Sequence, residues 1–184
     1  MMDGDMKRLF DQMYPRFFEA AYIRTLDEKL SYEEMVLWLK GFSSSQKISA
    51  PEGITFGFFS GDLESLHESV RAVNAVWTQY FQKPEEIFCA FEGDRVVSFC
   101  LLDDMGEYLL GARRVKVAGP GCVGTIPAYR KRGIGLRMVQ LATQILKDRG
   151  YDISYIHYTG VAAWYAKLGY ETIFRWNRNG ILQE

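Results

Sequence analysis

The sequence predicts a mixed α/β fold: a central mixed sheet with helices on both faces, plus an N-terminal helical extension. Three observations carry that expectation. From residue 54 onward, short apolar runs alternate with stretches of helical period, in the order strand, helix, three strands, helix, strand, helix, strand. Turn residues fall between these runs, with Pro84 and Gly150 closing the two longest helical stretches. The chain has 184 residues, enough for one domain with a real core and some extension.

In chain order, residues 1–49 read as a helical extension and residues 50–184 as the main domain. Phe10, Met13, Tyr14, Phe17, Phe18 and Ala21 recur at helical spacing, with Pro15 set to break or start a helix. Ser31-Tyr32-Glu33-Glu34 has the form of a capping box opening a helix through Met35, Leu37, Trp38 and Leu39, which Gly41 would stop. Ser43-Ser44-Ser45-Gln46 reads as a linker. Residues 54–59 are a strand candidate, and residues 62–81 a helix with Leu63, Leu66, Val70, Val73, Trp77 and Tyr80 on one face.

Residues 87–91 and 96–102 follow as strands joined by the hairpin turn Glu92-Gly93-Asp94-Arg95. Residues 114–125 form a third run, with a bulge expected at Gly119-Pro120-Gly121. A helix over 134–149 carries the stripe Met138, Val139, Ala142, Ile145 and Leu146. A strand at 153–158, a short helix at 161–168, a strand at 171–176 and a turn at 177–180 complete the pattern.

Composition narrows the function classes. No apolar run approaches the ~20 residues that span a bilayer, and the acidic start Met1-Met2-Asp3-Gly4-Asp5 lacks the form of a secretion signal; a soluble, cytoplasmic protein with no membrane partner is expected. Three cysteines at irregular spacing argue against a disulfide framework, and two distant histidines, His67 and His157, against a metal site. Charge is uneven: residues 51–112 carry three basic and eleven acidic side chains, residues 113–184 twelve basic and four acidic. This asymmetry fits either two oppositely charged ligands or mutual neutralisation within the fold.

Three glycine patterns compete. Gly119-Pro120-Gly121-Cys122-Val123-Gly124 spells a dinucleotide fingerprint, but Thr125-Ile126-Pro127 continues as extended chain where a helix should open. The same glycines have P-loop spacing without the lysine, whose place Thr125 takes. The third pattern, Arg130-Lys131-Arg132-Gly133-Ile134-Gly135, stands between a strand and an amphipathic helix. Glycines at 133 and 135 let an anion approach the backbone, the helix adds its positive end, and three basic side chains ring the turn. The alternative is a solvated basic turn touching nucleic acid; a sequence pI of about 6.2 does not support that partner.

The stretch from Val123 to Leu136 closely resembles the coenzyme motif of the GNAT superfamily of N-acyltransferases: a strand, a proline and an aromatic, then Gln/Arg-x-x-Gly-x-Gly/Ala opening a helix. Thirty residues on, Ala163-Trp164-Tyr165-Ala166-Lys167-Leu168-Gly169-Tyr170 resembles that superfamily's second signature. The likeness in element order covers residues 54–176. It implies that acetyl-CoA is the cosubstrate. Amides of Arg130, Lys131, Arg132, Gly133, Ile134, Gly135 and Leu136 would hold the pyrophosphate, and the backbone of Val123, Gly124 and Thr125 the pantetheine arm. Tyr165 matches the family's general acid; a phenol of unperturbed pKa ~10 stays protonated at neutral pH and can donate to a leaving thiolate. Its other reading is a packing aromatic beside Trp164.

Two departures from the family pattern stand out. Residues 114–125 contain no acid where relatives carry a glutamate base; His157, Asp103, Asp104, Glu107 or a water chain would substitute, with His157 closest in ordinary pKa to the task. Tyr158 stands where many relatives have an asparagine. The resemblance implies transfer of an acetyl or other short acyl group to a primary amine of a small molecule or peptide, a cationic one suiting the acidic segment around Glu92, Asp94, Asp103, Asp104 and Glu107. A non-catalytic acyl-CoA sensor is the alternative. Residues 1–49 would either dock a partner, including a second copy in a homodimer, or cover the sheet of their own chain.

Overall fold

The computed structural model describes residues 2–43 and 48–182, so the predicted linker, Ser43 apart, lies outside the described residues. Helix α1 spans Met2–Met13, followed by strands β1 (Tyr32–Trp38) and β2 (Ile54–Phe58), helix α2 (Leu63–Arg71) and strands β3 (Ile87–Glu92), β4 (Arg95–Leu110) and β5 (Arg113–Thr125). Helix α3 (Ile134–Asp148), strand β6 (Ile153–Thr159), the single-turn helix α4 (Ala162–Tyr165) and strands β7 (Glu171–Asn177) and β8 (Gly180–Ile181) complete the order. The predicted class, a mixed α/β sheet fold with an N-terminal helix, is the one found.

The chain divides into two compact units, through both of which β4 and β5 run. The first comprises Met1–Phe42, Asp104–Ala118 and Gly150–Glu184. Its strands beyond β4 order as β5-β6-β1-β7-β8. β5 and β6 pair in parallel, and β1 lies antiparallel between β6 and β7. Helix α1 buries Met6, Leu9 and Phe10, at its helical stripe, into a core with Val36, Val115, Val117, Ile153, Tyr155 and Trp176; each such side chain contributes about 1.5–3 kcal/mol. The chain leaves α1 through Pro15 and a left-handed Arg16 (φ 60°), bringing Phe17 into the same core.

β1 corrects the helix expected from the capping box. Residues 32–38 form a strand, and Glu34, Met35 and Val36 are buried in succession. A local signal for a helix yields here to pairing with segments more than 110 residues away.

The second unit comprises Ser43–Asp103 and Gly119–Arg149, with strand order β2-β3-β4-β5. α2 starts at Asp62, whose carboxylate accepts from the Ser65 amide at 3.3 Å. Leu66 and Val70 then bury against Ile87, Cys89, Phe99 and Leu101. The helix expected over 62–81 stops at Arg71: Asn74 takes the Val76 amide at 3.0 Å and starts a separate 3-10 turn over Ala75–Gln79. The opposite face of the sheet carries Phe88 against Phe58, with Arg149, just past the end of α3, stacked over Phe58 at 5.1 Å. α2 and α3 thus cover opposite faces of this unit's sheet.

Candidate active site

In the second unit, the turn between β5 and α3 is held on both flanks. The Arg130 Nε–H donates to the carbonyl of Thr125 at 3.0 Å, folding the turn back on the strand end. Tyr129 is buried, its hydroxyl bonded to Glu92 and its ring beneath the guanidinium of Arg132 at 5.1 Å. That bond to Glu92 holds the phenol above its ordinary pKa. Lys131 (φ 61°) and Gly133 (φ 79°) are left-handed, a conformation that glycine alone adopts without penalty.

Gly133 is also tightly approached: a β-carbon there would lie 2.8 Å from the carbonyl oxygen of Ser49. It forms the N-cap of α3, which no side chain caps. The helical ladder begins with the Arg137 amide bonding Gly133, so helix geometry leaves the amides of Gly133 to Leu136 for another acceptor. With Arg130, Lys131 and Arg132 around it, the turn has the chemistry of a pyrophosphate cradle.

The strand feeding that turn is shaped by two contacts. The Ser98 hydroxyl donates to the Gly124 carbonyl at 2.7 Å and lies 2.8 Å from the Thr125 hydroxyl. Cys122, next to the glycines where a bulge is expected, takes φ 46°. The parallel β5–β6 ladder ends at Ala118 and Ser154. Beyond it, residues 119–125 enter no pairing on that edge among the described residues.

In the first unit, the sequence reading missed the acid. Glu34 is fully buried and has three hydrogen-bonding partners. The Trp176 Nε1–H reaches Oε1 at 2.8 Å, the Tyr158 amide reaches Oε1 at 3.2 Å, and His157 Nδ1 lies 2.9 Å from Oε2. A carboxylate withdrawn from water would cost several kcal/mol without such partners. The register explains how they meet. Between Glu33↔Thr159 and Met35↔Ile156 the β6 strand carries one extra residue, so both His157 and Tyr158 fall opposite Glu34. Tyr158 is left-handed (φ 57°), at a cost of about 1–3 kcal/mol for a bulky residue. The asparagine expected from the resemblance would sit there more easily.

Aromatic rings surround the pair. Tyr14 stacks on the His157 imidazole at 4.0 Å and 12°, and Phe17 meets it edge-on at 5.2 Å. The Tyr155 hydroxyl lies beside Glu34 without a well-aligned hydrogen bond, and burial, then the charge of Glu34, raises its pKa. Burial and then Tyr32 raise that of Tyr158. His157 itself keeps 24% side-chain exposure.

Tyr165, at the end of α4, is 6% exposed and packs edge-on against Trp164 at 4.8 Å and Tyr170 at 5.8 Å. The acids weighed as bases differ in setting: Glu107 pairs with Arg114 (3.7 Å) and Lys116 (3.6 Å), and Asp104 accepts from the Gly106 amide. Part of the charge asymmetry is therefore neutralised within the fold.

A family model described as an acetyltransferase (GNAT) domain matches residues 62–173, more than half of the chain. Solved structures share the fold. A GCN5-related glucosamine N-acetyltransferase region of a fungal multi-domain GH3 β-N-acetylglucosaminidase superposes with a TM-score of 0.66 at 24% identity, over 78% of this chain and 20% of that one. GCN5-related N-acetyltransferases from Sphaerobacter thermophilus (0.57, 20% identity, 79% of this chain and 49% of that) and Kribbella flavida (0.54, 16%, 80% and 56%) are similar in fold. This chain thus spans from about a fifth to little more than half the length of those proteins. No curated protein sequence matches. Among the described residues, no helix is long and apolar enough to cross a membrane.

Proposed function

Because the chain belongs to the acetyltransferase (GNAT) domain family, we propose that it transfers an acetyl or other short acyl group from acyl-CoA to a primary amine, by direct attack in a ternary complex. The observation that carries this reading is the uncapped N-terminus of α3 behind the left-handed Gly133, ringed by Arg130, Lys131 and Arg132. Its spare amides suit the coenzyme's pyrophosphate, and the unpaired edge of Val123, Gly124 and Thr125 suits the pantetheine arm.

The chemistry needs two proton movements. The acceptor ammonium gives up one proton, and its nitrogen then forms the C–N bond to the thioester carbonyl carbon. As the C–S bond breaks, the thiolate takes a proton and the nitrogen loses its second, so one proton is released net. Tyr165 is the proposed donor to the thiolate and His157 the proposed acceptor from the ammonium. The partial exposure of His157 and its carboxylate partner support the second assignment over a water chain.

A primary amine of a small molecule or peptide is the acceptor class, and a homodimer is a further part of the proposal. A second reading, an acyl-CoA sensor without turnover, is favoured by the lack of an acid in residues 114–125. An amine screen monitored by release of free coenzyme thiol separates the two: amine-dependent thiol release supports the transferase, and coenzyme binding without release supports the sensor.

A further inference from the structure

We propose that Glu34 is a positioning residue for His157, holding the imidazole in the tautomer protonated at Nδ1 and leaving the Nε2 lone pair to accept the amine's proton. The proposal rests on the acyl-transfer reading above and names the missing half of its base. Oε1 of Glu34 is taken by the Trp176 and Tyr158 N–H groups, so Oε2 is the oxygen that His157 Nδ1 meets at 2.9 Å. With both N–H donors on Oε1, an ionised carboxylate leaves Oε2 to accept from an Nδ1–H. Nε2 enters no hydrogen bond among the described residues.

The backbone is built for this meeting. The extra residue in β6 and the left-handed Tyr158 bring the histidine side chain and the next amide to the same carboxylate. The Tyr14 stack and the Phe17 edge contact fix the plane of the ring. The titratable groups facing it are Glu34 from β1, Tyr14 from the turn after α1, and Tyr155 and Tyr158 from β6. In the reaction the ammonium passes one proton to Nε2, giving an imidazolium whose charge Glu34 balances; the freed lone pair forms the C–N bond, and the imidazolium returns the proton to solvent.

The test combines ring-nitrogen NMR of 15N-histidine-labelled protein with kinetics of Glu34→Gln. His67, whose Nε2 meets the Phe81 carbonyl at 2.8 Å, is an internal reference for the opposite tautomer. The neutral His157 ring is expected as Nδ1–H in the wild type. In Glu34→Gln, where the amide nitrogen faces Nδ1, it is expected as Nε2–H. That variant should lose about 10²-fold or more in kcat with KM for acetyl-CoA unchanged, and adding His157→Gln should cost nothing further. A wild-type ring protonated at Nε2, or a folded Glu34→Gln that keeps kcat within twofold, overturns the proposal. If Glu34→Gln does not fold, the wild-type tautomer and the kcat of Glu34→Asp decide in its place. A protein that binds acetyl-CoA but acylates no amine overturns the transferase reading and the proton-acceptor role with it, while the tautomer still tests the Glu34–His157 assignment separately.

Discussion

Gly124 lies flat against the ring of Phe99, so that a β-carbon at position 124 would fall inside the ring's van der Waals envelope. Phe99 cannot swing away, because it is fully buried and packed edge-on against Phe81 at 5.2 Å. Gly124→Ala should therefore destabilise the fold by about 1–3 kcal/mol, read from denaturant midpoints. Combining it with Phe99→Leu, which makes room for the methyl, should cost less than the sum of the two single changes.

Gly133→Ala adds a methyl 2.8 Å from the Ser49 carbonyl oxygen at a left-handed position. The conformation alone costs about 1–2 kcal/mol, and relief requires the turn to move. Affinity for acetyl-CoA, measured by calorimetric titration, should fall by at least tenfold, while the same substitution at the open, left-handed Gly53 should leave it unchanged.

Tyr165→Phe keeps the ring packed on Trp164 and Tyr170 and removes only the hydroxyl. If that hydroxyl protonates the leaving thiolate, kcat should fall by about 10²-fold or more with acetyl-CoA affinity retained. A variant with unchanged kcat would make Tyr165 a packing residue.

Cys122 ties stability to alkaline pH. Burial, then the charge of Asp103, pushes its thiol up from 9.0 to about 11. Above pH 9 the unfolded thiol ionises while the folded one stays protonated, so the contribution is whole below pH 9 and is lost as pH rises toward 11. Cys89 and Cys100, raised by burial, add to the same slope. Unfolding followed between pH 8 and 11 should show a shallower loss of stability in Cys122→Ala than in the wild type.

The parts of the molecule legible in the sequence are the local ones. The turn 130–135 and the stripe of α3 announce themselves within twenty residues, because an anion cradle and an amphipathic helix are both short-range patterns. β1 was illegible for the opposite reason. Its bulged register buries Glu34, Met35 and Val36 consecutively, erasing the period of two, and its partners lie beyond residue 150. Ser31 and Glu34 therefore read as a helix cap, when Glu34 is the acid beneath His157. The one available signal was chemical: a carboxylate set among Met35, Val36 and Leu37 demands a buried donor, and the histidine that lacked a partner in the sequence was 123 residues away.

The most direct test of acyl-CoA binding at the 130–135 turn is calorimetric titration of acetyl-CoA into the wild type and Gly135→Asp, with unfolding temperatures recorded for both. Gly135 lies in the buried first turn of α3, where an added carboxylate would compete for the amides proposed to hold the pyrophosphate. Micromolar binding by the wild type, lost in a variant that remains folded, is the predicted result. No binding by the wild type, or equal binding by both, would contradict it.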